Sequence, residues 1–385
     1  MKLLYSLIST LRHILYKKPD RVLNWIEVPS ANILSNYHHI QSLQPDMSIF
    51  PVVKSNAYGH GLKQIVEILN QTNAQMIAVD SFLEYQTVRR YSSKHILLLG
   101  ETLHENYNLF DAQKTSFCIW NISTLEHLIS LHKPFRIHLF LNTGMNREGI
   151  QERELAQFLD ILQGTKITLE GVCSHLADGD NLDMTDTNRQ IAVFKKLYAK
   201  IVSKGFQPEY RHIQASTGIL KIQDSFFNAV RPGIILYGYN PLSVEDDFYK
   251  NGMLLKPALD LYSTITAIQE IHSGEGVGYN LTNRVDTSRR IASIPCGYTE
   301  GLDRRLSNNF TLTEGDSEIA IAGKVCMNIS MYDTTNLDMK IGDQLHLISS
   351  DVAHTQSINN IAKKIQTISY EVLVKLSPTI RRIIK

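Results

Sequence analysis

Met47-Ser48-Ile49-Phe50-Pro51-Val52-Val53-Lys54 is an apolar run that ends on an amine. Behind it Leu62, Ile65, Val66 and Leu69 recur at i, i+3, i+4 and i+7, and a second apolar run follows over 74–80. A strand, an amphipathic helix and another strand in that order make a βαβ unit, whose strands must lie parallel. Six further runs follow, 95–100, 116–120, 135–142, 167–175, 210–216 and 229–238, most of them continuously apolar, as in strands covered on both faces. Leu155, Phe158, Leu159 and Leu162 repeat the helical stripe between two of them. Eight strand-then-helix units predict a (β/α)8 barrel, a TIM-like fold of class α/β.

From about residue 255 the texture changes to β-rich segments, 259–271, 289–298, 308–313, 318–326 and 342–349, with turn signals at Ser273-Gly274-Glu275-Gly276 and Gly315-Asp316. A helix is expected around 357–365, followed by a last segment, 369–373. The chain therefore divides into an N-terminal extension (1–21), a barrel (22–255) whose first strand, about 22–29, is open to joining the following domain, and a mainly β C-terminal domain (256–385). Leu3, Leu4, Leu7, Ile8, Leu11, Ile14 and Leu15 stand at helical spacing among Lys2, Arg12, Lys17 and Lys18. This basic amphipathic helix has no apolar core of spanning length, so packing on the protein body is favoured over contact with a membrane surface.

With 385 residues the chain is long enough for two domains, each with its own core. Its 39 basic and 38 acidic residues nearly cancel, which gives no support for nucleic acid or an anionic membrane as partner and favours a small molecule. Cys118, Cys173, Cys296 and Cys326 are too scattered for a disulfide framework or a zinc site and read as reduced thiols of a cytoplasmic protein. No metal is expected.

In a barrel of this kind chemistry gathers at the C-terminal ends of the strands. Lys54 ends the first run, Asn142 the fifth, His175 the sixth and Ser216 the seventh, while Arg231, Pro232 and Gly233 lie in the eighth. Lys54 reads as a Schiff-base lysine, because burial at a strand mouth favours the neutral amine that imine formation requires. A lysine snorkelling from a barrel rim fits its spacing equally well, and it is the company of the other residues that favours chemistry.

The stretches Val53-Lys54-Ser55-Asn56-Ala57-Tyr58-Gly59-His60-Gly61, Asn142-Thr143-Gly144-Met145-Asn146-Arg147-Glu148-Gly149, Val230-Arg231-Pro232-Gly233-Ile234, Gly297-Tyr298 and Gly323-Lys324-Val325-Cys326-Met327, in that order and spacing, resemble the fold-type III pyridoxal-phosphate amino-acid racemases, the alanine racemases in particular. The resemblance runs from about residue 22 to the C-terminus and implies a cytoplasmic enzyme that interconverts L- and D-alanine and supplies D-alanine for peptidoglycan. It implies that Lys54 binds pyridoxal 5'-phosphate and, once released, acts as the base for the D-enantiomer. Tyr279, in Gly276-Val277-Gly278-Tyr279, is the implied base for the L-enantiomer. Two bases on opposite faces of a planar adduct account for racemisation. The resemblance further assigns His175 as a link between Tyr279 and Arg231, and Arg231 as the partner of the pyridine nitrogen. It assigns Tyr58, Ser216, Gly233, Ile234 and Tyr370 to the phosphate, Arg147 and Met327 to the substrate carboxylate, and Tyr298 to the entrance. Ser216 also reads as a helix N-cap, and the two roles are compatible. Finally, the resemblance implies a head-to-tail homodimer in which Tyr279 comes from the partner chain.

Three places depart from the family pattern. Phe140 and Asn142 stand where a lysine, often carbamylated, and an aspartate are usual. Asn328 replaces the aspartate of a Met-Asp pair, and Ala215 replaces an asparagine. Without a carbamate Arg147 needs another orienting partner, and a serine or broad-specificity racemase stays open as an alternative. So do a fold-type III decarboxylase, whose cysteine-containing C-terminal motif has no counterpart here, and a non-catalytic pyridoxal-phosphate-binding homologue, against which Tyr279 argues.

Overall fold

The computed structural model describes residues 22–385, so the helix expected over 1–21 lies outside the described residues. The chain enters through strand β1 (Asn24–Val28) and helix α1 (Ser30–Leu43) and then begins the barrel. Its strands are β2 (Ser48–Ile49), β3 (Met76–Val79), β4 (His95–Leu98), β5 (Thr115–Ile119), β6 (Arg136–Phe140), β7 (Thr168–Cys173), β8 (Tyr210–His212) and β9 (Ala229–Val230). Between them lie α2 (Leu62–Leu69), α3 (Phe82–Tyr91), α4 (Ile122–Ser130), α5 (Glu152–Leu162), α6 (Thr185–Ser203) and the short α7 (Ser216–Lys221).

Strands β3 to β8 form a six-stranded parallel sheet, and β2 pairs in parallel with β9. A parallel bridge between Val52 and Ala78 joins this pair to β3. On its other side Asn228 N donates to Arg211 O at 3.1 Å and Arg231 N to Gln214 O at 2.9 Å. These links curl the sheet into an eight-stranded barrel. Each of the eight apolar runs supplies one strand, and the stripes Leu62, Ile65, Val66, Leu69 and Leu155, Phe158, Leu159, Leu162 are buried against it. Removing such faces from water is the main force holding the layers together.

The C-terminal domain is built on two sheets. One has the order β18 (Gln344–Ile348), β10 (Asp260–Thr264), β1, β19 (Arg381–Ile384). In it β1 runs antiparallel to β10 and parallel to β19, so both ends of the described chain are stitched into one sheet. The other sheet joins β11 (Ala267–Ile271), β14 (Arg289–Ile294) and β17 (Ser330–Asp333). Two hairpins complete the domain, β12 (Gly276–Val277) with β13 (Asn283–Arg284) and β15 (Thr311–Glu314) with β16 (Ser317–Ala320). Helices α8 (Ile358–Lys364) and α9 (Ser369–Val374) precede the last strand. The run expected over 318–326 stops at Ala320, because the chain turns at Gly323 with φ of 81°. Among the described residues no helix is long and apolar enough to cross a membrane.

Candidate active site

Lys54 leaves the barrel just beyond β2. The next four residues, Ser55, Asn56, Ala57 and Tyr58, have φ between 51° and 55°, a left-handed turn of non-glycine residues. Such a conformation costs about 1–2 kcal/mol per residue, so surrounding contacts must impose it. Glu84 Oε1 accepts from Ser55 N at 2.6 Å, Asn56 Oδ1 accepts from Leu62 N at 2.8 Å, and buried Arg382 donates twice to Gly59 O at 3.0 and 3.1 Å. Gly59 closes the turn with φ of 81°, and a Cβ there would collide with the carbonyl oxygen of Leu373 in α9. The turn sets Lys54 Nζ 3.4 Å from Asp80 Oδ1. The burial expected of this lysine is not what the structure shows, since its side chain is 40% exposed.

The same turn sends Tyr58 back over the mouth toward Ser216 and Gly233. Ser216 does not cap α7: Ala215 occupies the N-cap position, and Ser216 Oγ accepts from Gly233 N at 3.0 Å and Ile235 N at 3.5 Å. A Cβ on Gly233 would lie 2.5 Å from the Tyr58 hydroxyl, so only glycine lets that hydroxyl approach the backbone here. Ile234 follows directly, and the Tyr370 ring of α9 stands 6.1 Å from that of Tyr58. Burial pushes the Tyr58 phenol well up and that of Tyr370 up to about 12, so both remain hydroxyl donors. The hydroxyls and backbone N–H groups gathered here are donors of the kind a phosphate takes.

Arg231 is buried at the floor. Its Nη1 donates to His212 Nδ1 and, at 3.0 Å, to His212 O, and its Nη2 donates to Ser174 O at 2.6 Å. The expected partner, His175, forms no hydrogen bond to Arg231 or Tyr279 among the described residues. It is half-buried in the same cluster, and burial, then the charges of Arg231, Arg147 and Lys54, hold its pKa down to about 3. A guanidinium only donates, so His212 Nδ1 accepts and its Nε2–H donates to His138 Nδ1 at 2.7 Å. His138 Nε2–H then donates to Glu170 at 3.3 Å, which Ser116 and, at 2.8 Å, Arg136 also bond. Burial alone would raise the Glu170 pKa, but hydrogen bonds from His138, Ser116 and Arg136 reverse this and hold it at about 2. A directional polar column thus runs through a barrel interior normally filled by apolar layers. Sequence reasoning missed His138, His212 and Glu170, although polar residues inside otherwise apolar runs were the available signal.

Arg147 has the orienting partner its loop required: Glu148 Oε1 accepts from Nε at 3.0 Å and from Nη2 at 2.6 Å. Asn142 organises that loop, its Oδ1 accepting from Gly144 N and Asn146 N, both at 3.1 Å. Phe140 packs edge-on to Trp120 with centroids 5.8 Å apart. The remaining predicted residues stand elsewhere. Tyr279, Tyr298 and Met327 are exposed by 68%, 44% and 57%. They line, with Cys326, an open hollow of about 810 Å³ on the C-terminal domain that contains no barrel residue. A Cβ on Gly297 would strike the Cys326 carbonyl, so this glycine lets the Tyr298 and Met327 turns meet. Asn328 donates to Glu300 at 3.0 Å.

Residues 28–241 match the family model "Alanine racemase, N-terminal domain" and 258–384 match "Alanine racemase, C-terminal domain". The alanine racemase of Listeria innocua is 32% identical over 365 residues, covering 93% of this chain and 96% of its own. That of Clostridium novyi is 30% identical over 368 residues, with 93% and 94% covered. A solved alanine racemase from Bacillus anthracis with bound L-Ala-P superposes with a TM-score of 0.88 at 30% identity, covering 95% and 96%. One from Bartonella henselae with covalently bound pyridoxal phosphate gives 0.82 at 26%, covering 95% and 100%. With both domain models matched along its length and relatives at 30% and 32% identity covering nearly all of it, the chain belongs to the alanine racemase family.

Proposed function

We infer that this chain is a pyridoxal-phosphate racemase that interconverts L- and D-alanine, which in a bacterial host supplies D-alanine for peptidoglycan. The observation that carries the reading is the meeting of Lys54, Tyr58, Ser216, Arg231, Gly233 and Tyr370 at one barrel mouth. When bound, the cofactor supplies the electron sink that makes an amino acid's α-proton removable.

The chain's residues do the rest. Ser216, Tyr58, Tyr370 and the N–H groups of Gly233 and Ile234 hold the phosphate, and Lys54 provides the amine that takes or returns the α-proton on one face. Arg231 stays cationic even though burial lowers its pKa, so it withholds a proton from the group it faces and limits how far charge spreads from the α-carbon. That restraint suits a reaction whose task is proton return. Arg147, steered by Glu148, and the Met327 N–H receive the substrate carboxylate, with Tyr298 at the entrance.

Racemisation needs a second base on the opposite face, and Tyr279 is exposed on a separate face of its own protomer. The arrangement is completed by a head-to-tail homodimer that carries the Tyr279, Tyr298 and Met327 face of one chain over the barrel mouth of the other. The test is incubation with single L-amino acids in deuterated water, followed by chiral separation. Deuterated D-alanine is the expected product; absence of α-exchange with every amino acid overturns the reading, and exchange with L-serine alone reassigns the substrate. In the same assay Lys54→Ala and Tyr279→Ala chains are each silent, and mixed dimers of the two regain exchange at one site. Confirmed mixed dimers without exchange overturn the shared site.

A further inference from the structure

The bridge between Val52 and Ala78 sets β2 and β3 side by side, and the chain continues from their tips as Lys54 and Asp80. The Asp80 carboxylate, 3.4 Å from Lys54 Nζ, has no part in the roles assigned above. Its placement is built rather than accidental. Glu84 ties the two halves together, Oε1 accepting from Ser55 N at 2.6 Å and Oε2 from Asp80 N at 2.8 Å. Glu84 is itself fixed by a reciprocal capping box with Ser81 at the start of α3. Beside Asp80, just beyond the end of β4, Gly100 leaves the room required: a Cβ there would collide with the Asp80 carbonyl and stand 3.4 Å from its Cγ.

We propose that Asp80 is a positioning residue for Lys54, whose carboxylate holds the released amine at the barrel mouth and stabilises its ammonium form. The proposal rests on the reading of Lys54 as the cofactor lysine. When released Lys54 removes an α-proton, the proton moves to Nζ, the electron pair stays on the substrate carbon, and the amine becomes a cation. Inversion is completed by a proton that Tyr279 gives to the opposite face of that carbon, the proton on Nζ is passed to carbon in the reverse turnover or lost to solvent, and Asp80 remains ionised throughout. The surroundings are rich in cations: Arg147 and Arg231 lie near His175 on the neighbouring elements, and Glu84 is occupied by backbone donors. Among the described residues Asp80 is the carboxylate that reaches Nζ and offsets them. Both side chains are partly exposed, at 40% and 49%, so the effect is moderate and salt-screened. It also has a cost: an amine kept as ammonium captures the cofactor more slowly.

The test is trace acetylation of the cofactor-free protein with acetic anhydride, read at Lys54 by peptide mass spectrometry, since only a neutral amine reacts. Asp80→Asn is expected to raise the Lys54 labelling rate by about 3- to 5-fold and to speed capture of added pyridoxal phosphate. Asp80→Glu is expected to stay within about twofold of the parent, since it restores the charge. Added salt raises the parent's rate but not that of Asp80→Asn. Exposed Lys63 serves as the control for folding, its labelling unchanged throughout. An unchanged Lys54 rate in Asp80→Asn, or the same rise in Asp80→Glu, overturns the proposal. Borohydride reduction of the cofactor-loaded parent separates the two layers. Label on another lysine removes the reading of Lys54 and this proposal with it, whereas label on Lys54 with unchanged acetylation removes only the role of Asp80.

Discussion

Arg147 shows how a single side chain can be replaced in its supporting role. Phe140 fills its place with an apolar contact to Trp120, and the neighbour Glu148 aims the guanidinium instead. An exposed pair of this kind is worth about 0.2–1 kcal/mol, too little to affect folding but enough to matter in orienting a ligand. Glu148→Gln is therefore expected to raise KM for alanine by about 2- to 5-fold while kcat and the thermal midpoint hardly move. Steady-state kinetics in both directions checks this. A fall in kcat at constant KM would show that Glu148 does something other than orient the carboxylate site.

At the scale of elements, the left-handed turn over 55–58 is the piece on which the site depends, and its conformation is enforced from outside. Gly59 is the contact point, with α9 pressing on it and Arg382 bonding its carbonyl. Gly59→Ala combines a disfavoured φ with backbone overlap and is expected to destabilise the chain by at least about 2 kcal/mol. Because α9 also carries Tyr370, cofactor affinity should weaken as well. Gly274→Ala is the reference: φ is 86° there but nothing lies within 4 Å, so the cost is about 1 kcal/mol. Urea midpoints of the two variants measure the difference, and equal midpoints would refute the enforced-turn account.

The whole molecule carries its acid sensitivity in buried and half-buried histidines. Burial lowers the pKa values of His138 and His212, holds those of His60 and His95 at about 4, and with nearby cations holds His175 at about 3. An unfolded histidine takes its proton near pH 6.5, so the unfolded state binds protons that the native state refuses. Stability is therefore complete above about pH 6.5 and is lost as pH falls toward about 4, by about 2 kcal/mol at pH 5 for each histidine kept neutral. Glu170 acts lower down: its depressed pKa contributes stability above the ordinary carboxylate range that is lost on the way to about 2. Urea denaturation at successive pH values should show the midpoint falling well before carboxylates titrate. A flat midpoint from pH 7 to pH 5 would contradict this.

The barrel, the β domain behind it and the lysine, arginine, serine and glycine at strand ends were legible because they depend on local pattern. Alternating apolar runs and helical stripes have fixed periods, and a strand end is visible wherever such a run stops. Strands β17 and β19 escaped this reading, being four residues each and stabilised by pairing with distant partners. The same distance hid the Asp80 and Glu84 partners of the Lys54 turn, the His212, His138 and Glu170 column beneath Arg231, and the release of Ser216 from capping. Each is a hydrogen bond or ion pair between segments brought together by the curling of the sheet. Apolar periodicity along the chain determined which residues face inward at the barrel mouth. Only the closed tertiary structure decided which polar groups meet there, because a buried donor takes whichever acceptor closure brings within about 3 Å.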